Sequence, residues 1–273
     1  MNCDIKISIF ASTIRPRLWT SFFKSLESTT EEYEVVFAGP INNVIIKDKT
    51  IGLVYTNKSE DHLEKYFMKE NGNFTFIKTG NIKPAQCYEI ARRACVGETI
   101  SWSADDCEYS PDCFGKSYRY WKSLDNNKAA LSIQTIEDGY RYDMKQHSYI
   151  GFNKNTPLMA PICLMSKNYM DGLGGFDKRF QCGQYENEAI CRVHADGGGV
   201  LIFDEGECII DHSKHGKEHR FRIGYTQDRK VLENSWGKTG EAVHTGRLNK
   251  FEPYEDSDLL TKSQCLTLNS IWV

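Results

Sequence analysis

An acidic tetrapeptide, Ser103-Ala104-Asp105-Asp106, directly follows an apolar segment at residues 100–102. Two adjacent carboxylates repel each other unless a cation lies near them. Hard cations such as Mg²⁺ and Mn²⁺ prefer oxygen ligands and often bridge carboxylates to phosphates. The pair therefore indicates either a cation and phosphate site or a turn in which both acids face water.

Two histidines, His212 and His215, lie three residues apart just after another apolar segment at residues 208–210. One helix face or one tight turn can hold both rings. Neutral imidazole is a good ligand for Mn²⁺, Zn²⁺ or Fe²⁺. The spacing predicts metal ligands, and the alternative is an exposed polar loop.

The most distinctive stretch is Gly-Gly-Phe-Asp-Lys-Arg-Phe at residues 174–180, followed by Tyr-Glu-Asn-Glu at residues 185–188. In a helix that begins at residue 185, Glu186 lies on the apolar face and Glu188 points elsewhere. The helix dipole favours an ionised carboxylate at this position, which suits a general base. The alternative is simple stabilisation of the first helical turn.

Two predicted strand-to-helix turns carry groups that can hold an anion. Thr13 and Arg15 follow the first predicted strand, and Gly80, Lys83 and Gln86 follow a later one. Backbone N–H groups at a helix start bind phosphate, and an arginine holds phosphate in a bidentate manner. Each turn alone is a weak signal, because helix starts commonly have this composition.

Strand-like and helix-like segments alternate through the first two-thirds of the chain, which predicts an α/β fold with a mainly parallel sheet. In such sheets ligands bind beyond the carboxyl ends of the strands, where the acidic pair and both turns fall. The predicted strands are residues 5–11, 33–38, 51–56, 74–78, 99–103, 129–136, 158–166, 200–203 and 208–210. The predicted helices are residues 16–28, 59–68, 85–96, 110–123 and 185–196, with a loop or hairpin at 140–150.

Composition places the chain among ordinary globular proteins. Its 273 residues carry a formal net charge of −3, with 26 % charged and 40 % hydrophobic residues, which excludes collagen-like, coiled-coil and wholly disordered classes. Near-neutral charge argues against a protein that coats nucleic acid. The sequence shows no signal peptide, and no apolar run reaches the roughly 20 residues of a spanning helix. We expect a cytoplasmic protein, with peripheral membrane contact open, whose ten cysteines are mostly reduced.

Taken in order, these motifs resemble those of the family-2 type of GT-A glycosyltransferases. The resemblance covers roughly residues 5–215, and the Gly-Gly-Phe-Asp-Lys-Arg-Phe run before an acidic helix is its most specific part. It implies a GT-A-like, Rossmann-like three-layer sandwich. It also implies an inverting transferase that moves a sugar from a nucleotide donor, with UDP favoured, to a hydroxyl of a glycan, a lipid-linked molecule or a protein.

The resemblance further implies a divalent metal, Mn²⁺ or Mg²⁺, held on the donor diphosphate by a D-x-D motif. Residues 103–105 match that motif with serine in place of the first acid. Asp105 is then the surviving metal ligand, with Asp106 beside it. His212 or His215 would supply the histidine that the family often adds to the metal.

Other roles follow from the same resemblance. Glu186 occupies the position of the catalytic base, and Tyr185 replaces the acid that commonly precedes it. The segment at residues 37–40 lacks the carboxylate that commonly contacts the nucleobase. The residues expected to contact the donor are Thr13, Arg15, Gly80, Lys83, Gln86, Ala104 and Asp105.

Two other functions stay open at this point. A nucleotidyltransferase that makes sugar nucleotides would carry a Gly-rich phosphate loop after its first strand, and residues 13–16 contain no glycine. A non-catalytic module that binds a nucleotide or a sugar is motivated by the serine at position 103.

The chain is expected to divide into a core at residues 1–215 and a C-terminal segment at residues 216–273. The C-terminal segment would pack on the site or close over it. Its basic and aromatic residues include Arg220, Arg222, Tyr225, Trp236 and Trp272.

Overall fold

The computed structural model describes residues 4–41, 44–47, 50–53, 66–80, 82–141, 158–214, 222–238 and 240–259. Strands and helices alternate through most of this part of the chain. The strands are β1 (Ile7–Ser12), β2 (Tyr33–Gly39), β3 (Val44–Lys47), β4 (Thr50–Leu53), β5 (Tyr66–Phe67), β6 (Gly72–Lys78), β7 (Thr99–Trp102), β8 (Cys107–Tyr109), β9 (Ala129–Glu137), β10 (Tyr140–Arg141), β11 (Cys163–Ser166) and β12 (Gly199–Ile210). The helices are α1 (Trp19–Leu26), α2 (Pro84–Ala94), α3 (Cys113–Ser123), α4 (Lys167–Gly172), α5 (Tyr185–Ala195) and α6 (Arg222–Trp236), with 3-10 turns at Pro16–Leu18, His212–Lys214 and Glu241–Val243.

The main sheet has the strand order β6-β2-β1-β7-β11-β9-β12-β8, with β10 paired to β9. The first four strands of this order run parallel, and β12 runs parallel to β9. Strand β11 is antiparallel to both of its neighbours. Because Phe10 lies opposite Trp102, the chain leaves β1 and β7 side by side at the same edge of the sheet. A smaller antiparallel sheet has the order β3-β4-β5.

Helix α1 covers one face of the sheet because its apolar residues recur three and four positions apart. The ring of its Trp19 lies 5.4 Å from that of Phe37 and 5.7 Å from that of Phe76. On the opposite face Phe10 packs against Tyr88 of α2 at 6.2 Å. Burial of each such side chain stabilises the fold by about 1.5–3 kcal/mol. The predicted three-layer α/β sandwich is confirmed.

The C-terminal part of the described chain shares the core of the sheet. Leu232 and Trp236 of α6, together with Tyr254, are buried in the same apolar cluster as the strands. Asp177 forms an isolated β-bridge with Pro253, so the end of the chain is also joined to the core through backbone atoms. The predicted division near residue 215 stays a prediction.

Several predicted element boundaries are wrong, each for a local reason. Helix α3 starts at Cys113 rather than at residue 110, because Ser110 extends the pairing of β8 with β12 through its backbone N–H to Glu207. The strand predicted at 158–166 shortens to Cys163–Ser166, since Pro161 lacks the N–H that a ladder needs. The two strands predicted at 200–203 and 208–210 are one strand, β12, with a register shift between Phe203 and Glu207.

Other predictions fall wholly or partly on parts of the chain that the structure does not describe. The helix predicted at 59–68 is wrong at residues 66–67, which form strand β5, and residues 59–65 lie outside the described residues. The structure also does not describe residues 54–56 of a predicted strand or residues 142–150 of the predicted loop. Within the described ranges, no helix is both long and apolar enough to cross a membrane.

Candidate active site

The carboxylate of Asp105 is the best-bonded acid at the edge where β1 and β7 end. Its Oδ2 accepts hydrogen bonds from Thr13 Oγ1 at 2.7 Å and from the backbone N–H groups of Ile14 at 3.1 Å and Arg15 at 3.0 Å. Its Oδ1 accepts from Arg15 Nε at 2.9 Å and also from Nη2. The turn that follows β1 is therefore wrapped around one buried carboxylate.

The guanidinium of Arg15 lies between the two acids of the pair. Its Nη2 contacts Asp105 and lies 3.0 Å from Asp106 Oδ2. Burial alone would lower the pKa of Arg15, but the two carboxylates raise it above its ordinary value. Burial raises the pKa of Asp105, and Arg15 opposes that rise. Arg15 therefore stays charged, and it favours the ionised form of Asp105 against the effect of burial.

This arrangement does not fit a divalent metal at the acidic pair. A carboxylate offers about four lone-pair positions, and Asp105 already accepts from five donor atoms, those of Thr13, Ile14 and Arg15 named above. No group of three or more histidine, cysteine, aspartate or glutamate side chains suited to a metal occurs among the residues that the structure describes.

Of the two predicted histidine ligands, the structure describes His212. His212 follows β12, whose Ile210 lies opposite Cys107, so the structure brings it to the same edge as the acidic pair. Its Nδ1 lies 2.8 Å from Asp138 Oδ2 and its Nε2 lies 3.2 Å from Glu137 Oε1. His215 lies outside the described residues.

Glu186 stands at the start of α5 in different surroundings. Gln184, directly before the helix, has a φ of +63°, and this left-handed residue turns the chain into the helix. Glu186 Oε2 is buried and has no hydrogen-bond partner in the described structure. Burial raises the pKa of Glu186 to about 7, and the nearby Asp228 adds to the rise, whereas backbone N–H groups oppose it.

Two tyrosines join the acidic pair to the helix that carries Glu186. The hydroxyl of Tyr88, on α2, donates to the carbonyl of Ser103. The ring of Tyr88 also packs against that of Tyr185, with the ring centroids 4.9 Å apart. Tyr185 is the residue that directly precedes Glu186. The end of β7 and the start of α5 are therefore neighbours in one site.

The loop before α5 is fixed by an acid that the sequence analysis missed. Asp228, on α6, accepts from the backbone N–H groups of Gln181 at 2.9 Å, Cys182 at 2.8 Å and Gly183 at 2.9 Å. Asp228 is buried, and it lies near enough to Glu186 to raise its pKa. The C-terminal segment therefore contributes directly to the surroundings of Glu186.

The two glycines before Phe176 are required by close packing. Gly175 has a φ of +74°, and a Cβ there would lie 2.7 Å from the carboxylate of Glu89 and from the guanidinium of Arg92. Glu89 accepts from the backbone N–H of Phe176 at 3.1 Å and from Arg92 at 2.8 Å. A Cβ on Gly174, where φ is +89°, would lie 2.7 Å from the ring of Phe251. In the sequence, the spacing of Glu89 and Arg92 three residues apart on one helix was the signal that could have predicted their ion pair.

A second network, made of ion pairs and not predicted from the sequence, joins α5 to the C-terminal segment. Arg247 Nη2 lies 2.6 Å from Asp177 and 2.9 Å from Glu188, and Glu188 also accepts from Arg192 at 2.9 Å. Asp177 and Glu188 are both fully buried. Glu188 therefore points away from Glu186, as the helical spacing predicts. Its contact with Arg247 also holds the C-terminal segment.

The predicted donor contacts at the start of α2 differ in exposure and in hydrogen-bond partners. Lys83 is exposed at the start of α2 and Gly80 is exposed before it. The backbone N–H of Ala85 donates to the carbonyl of Gln181 at 2.9 Å. Gln86 Nε2 donates to the carbonyl of Asp258 at 2.6 Å, so this side chain holds the C-terminal segment. The roles of Gly80, Lys83 and Gln86 toward a donor stay predictions.

Thr13, Arg15, Ala104, Asp105 and Asp106 are the predicted residues that the structure brings together. Ala104 is half-buried between Ser103 and Asp105. Glu186 joins this group through the two tyrosines. The described residues thus form a site with an arginine and two acids at one end and an unbonded carboxylate oxygen at the other.

Comparison with known proteins gives matches in structure. No family model matches the sequence, and no curated protein matches it. The structure of GalNAc-T7 with UDP, GalNAc and Mn²⁺ matches with a TM-score of 0.57 at 13 % identity, over 87 % of this chain and 49 % of that one. S. aureus TarS 1–349 in complex with UDP-GlcNAc matches with a TM-score of 0.53 at 11 % identity, over 79 % and 60 %.

A longer structure of S. aureus TarS matches with a TM-score of 0.51 at 10 % identity. The match covers 76 % of this chain but only 37 % of that TarS chain, so this chain spans well under half of the longer protein. At such identities the matches show the fold. This chain has the GT-A fold, as the sequence motifs predict.

Proposed function

We propose that this protein is a glycosyltransferase that moves a sugar from a nucleotide donor, UDP-linked by preference, to an acceptor hydroxyl with inversion. The single observation that carries the proposal is the buried, unbonded carboxylate oxygen of Glu186, whose pKa burial raises to about 7. The GT-A fold supports it, because solved neighbours of that fold were obtained with UDP and with UDP-GlcNAc.

In the proposed reaction Glu186 acts as the general base. A carboxylate whose pKa is near 7 is ionised in a useful fraction at neutral pH and accepts a proton with little driving-force penalty. As the acceptor oxygen attacks the anomeric carbon from the face opposite the diphosphate, its proton moves to Glu186. The new glycosidic bond forms while the bond from the anomeric carbon to the UDP oxygen breaks. Glu186 then returns its proton to water.

The turn at Thr13–Arg15 is proposed to hold the nucleotide side of the donor. Its position is fixed by hydrogen bonds to Asp105, so that it needs no reorganisation before the donor binds. Arg15 would supply a positive charge to the departing diphosphate, offset by its pairing with Asp105 and Asp106. The GalNAc-T7 structure contains Mn²⁺, but the acidic pair of this chain is held by Arg15, and no step of this mechanism passes through a metal.

The proposal keeps the sequence-based expectations for the acceptor and for the C-terminal segment. The acceptor is a hydroxyl of a glycan, a lipid-linked molecule or a protein. The C-terminal segment packs on the core beside the site, as its contacts to Gln86, Glu188 and Asp177 support. The division at residue 215 and a cytoplasmic location stay predictions.

The test is sugar transfer by Glu186→Gln in a panel of UDP-, GDP- and dTDP-sugars with mixed acceptors. Loss of a general base lowers turnover by about 10²–10⁴-fold, while binding of UDP, measured by calorimetry, is expected to stay within about twofold of the wild type because the nucleotide end is intact. Glu205→Gln, which removes an exposed acid of β12, is the matched control and is expected to keep full turnover.

Two outcomes would contradict the proposal in different ways. Full turnover by Glu186→Gln would remove Glu186 from the role of base but leave the transferase. Tight UDP binding by the wild type with no transfer, and no hydrolysis of any donor, would favour a non-catalytic binding module. The serine at position 103 is the observation that makes this second outcome worth measuring.

A further inference from the structure

A cavity of about 750 Å³ opens at the edge of the main sheet opposite the candidate active site. Strand β7 begins there with Thr99, which lies opposite Ser166 of β11, whereas the other end of β7 leads to Asp105. The length of β7, about 13 Å, separates the two places. The walls of the cavity come from the loop before β7, the end of α3, the loop before β9 and the start of α4. We propose that this cavity is a binding site for a neutral oligosaccharide.

Hydrogen bonds to buried groups hold the walls of the cavity in place. In the loop before β7, the backbone N–H of Val96 donates to Oε1 of the buried Glu34 at 2.7 Å. At the end of α3, Trp121 Nε1 donates to the carbonyl of Ala129 at 3.1 Å. A ligand therefore meets a preformed surface, which lowers the entropy that must be lost on binding.

The charged side chains of the lining are each paired with a side chain of opposite sign. The pairs are Glu98 with Lys122, Lys128 with Asp196 at 2.8 Å, and Lys167 with Asp171 at 2.6 Å. An anion would have to take a lysine from its acid, and a cation would have to take an acid from its lysine. Because the charges of the pairs cancel, electrostatic complementarity favours a ligand without net charge.

The polar groups of the lining suit hydroxyl groups, which both donate and accept hydrogen bonds. The ammonium of Lys128 has a further donor beyond its contacts with Asp196. The exposed side-chain amides of Asn127 and Asn168 each offer donors and an acceptor. The hydroxyl groups of a sugar can therefore bind in the cavity while its ion pairs stay intact.

Apolar surface lies beside these polar groups. Val96 is 69 % exposed at the rim. The half-buried ring of Tyr169 forms part of the wall, and its hydroxyl donates to Asp196 Oδ2 at 3.1 Å. A sugar ring has apolar C–H faces and hydroxyl groups around its edge, so it matches this mixture of surfaces.

The role that we assign to this site rests on the proposed function. A ligand in the cavity lies at the opposite edge of the sheet from Asp105 and contacts no reacting atom. A glycan acceptor long enough to reach both places would be held here by residues remote from its reacting hydroxyl, and the two contacts would reinforce each other. Binding of an oligosaccharide in the cavity does not itself require that the protein transfers a sugar.

The test is heteronuclear NMR of the full, isotope-labelled chain, titrated with cellotetraose, maltotetraose and chitotetraose. Concentrations up to about 10 mM cover sites with a Kd of about 1 mM. The backbone amide signals of Gly97, Lys128 and Asn168 are expected to shift with at least one of these neutral probes. Inorganic pyrophosphate, the anionic probe, is expected to leave the same signals in place.

Three variants locate the bound sugar. Tyr169→Ala removes aromatic surface from the wall and is expected to weaken binding at least about tenfold. Asn168→Ala removes one exposed amide and is expected to weaken binding about three- to tenfold, and it carries the test if Tyr169→Ala does not fold. Tyr120→Ala is the matched control, because Tyr120 is 37 % exposed and lies outside the cavity. The control is expected to keep the affinity within about twofold of the wild type. Thermal unfolding checks the folded state of each variant.

The proposal is overturned if no neutral probe moves the signals of Gly97, Lys128 and Asn168, or if pyrophosphate alone moves them. Equal affinity in the wild type, Tyr169→Ala and Asn168→Ala would also overturn it, because the sugar would then lie elsewhere. A loss in Tyr120→Ala as large as in Tyr169→Ala would do the same. Failure of the proposed function is detected separately, as absence of sugar transfer from every donor. The NMR titration contains no donor, so its result stands in either case.

Discussion

The two ends of the site each hold a carboxylate with an oxygen buried from solvent, and the two carboxylates differ in their hydrogen-bond partners. Asp105 at the end of β7 accepts from a hydroxyl, two backbone N–H groups and a guanidinium. Glu186 at the start of α5 has a buried oxygen with no hydrogen-bond partner in the described structure. Partners, more than burial, decide what each acid does. The first acid fixes a turn, and the second exchanges a proton near neutral pH.

The largest expected effect is on stability at the well-bonded end. Asp105→Asn removes the negative charge that Arg15 and the turn after β1 are arranged around. Removal of one partner of a buried pair lowers the free energy of unfolding by about 3–5 kcal/mol. Urea unfolding of the wild type and the variant at pH 7 measures the difference. A loss below about 1 kcal/mol would show that Asp106 alone satisfies Arg15, and the contrast with Glu186 would then be lost.

At Glu186, loss of the carboxylate is expected to raise the free energy of unfolding rather than to lower it. Between pH 4.5 and about 7 the native Glu186 carboxyl keeps a proton that the unfolded chain releases, so the free energy of unfolding falls as pH rises through that window. A pKa shift of this size lowers the free energy of unfolding by about 3 kcal/mol at pH 8. Glu186→Gln should remove this slope and make the protein more stable than the wild type at pH 8.

If Glu186 is the base proposed above, turnover is expected to rise as pH increases through about 7, because the carboxyl becomes ionised. Stability and turnover should therefore change in opposite directions across one pH window. Unfolding curves and initial rates at matched pH values check this. A turnover profile with its midpoint near pH 4.5 would mean that Glu186 is solvated like an ordinary surface acid.

Glu188 sharpens the comparison because it lies two residues from Glu186 on the same helix. It is buried and accepts from Arg192 and Arg247. Glu188→Gln should lower the free energy of unfolding by about 1.5–3 kcal/mol, since hydrogen bonds to charged groups are lost. Turnover per folded molecule should stay within about threefold of the wild type, because Glu188 contacts no reacting group. A large loss of turnover in a folded variant would place Glu188 in the chemistry.

The smallest expected effect concerns Gln86. Its side chain donates to the carbonyl of Asp258, so Gln86→Ala should cost about 0.5–1.5 kcal/mol of stability. Gln86 is also one of the predicted donor contacts. Measurement of both UDP affinity and thermal unfolding separates the two roles. A fall in UDP affinity with unchanged stability would support the donor contact.

The sheet and the candidate acids were predictable because they rest on local patterns. Alternating apolar segments with glycine and proline at their ends specify strands and helices without knowledge of the partner strands. The places of Glu186 and Asp105 in the fold were predictable for a similar reason, since Glu186 is the second residue of α5 and Asp105 lies just beyond β7. Their roles stay predictions. The strand order brings Phe10 beside Trp102, and this is why the turn at Arg15 meets Asp105.

Contacts between distant parts of the chain were not predictable. Nothing near Arg15 in the sequence shows that its partner lies 90 residues away, and so the acidic pair suggested an external cation. Asp228 and Arg247 were missed for the same reason, because their partners belong to the loop before α5 and to the acids around it. Burial, which raises the pKa of Glu186, is likewise a property of the whole fold.

The C-terminal segment shares its apolar core with the sheet, and this has a consequence for modularity. Trp236 and Tyr254 are buried in the common cluster, and Asp228 and Arg247 complete polar networks that begin in the core. A chain cut after residue 215 would lose both, and groups of the first part that are buried in the whole protein would be left exposed. Recombination that exchanged this segment between related proteins would have to carry the matching acids with it.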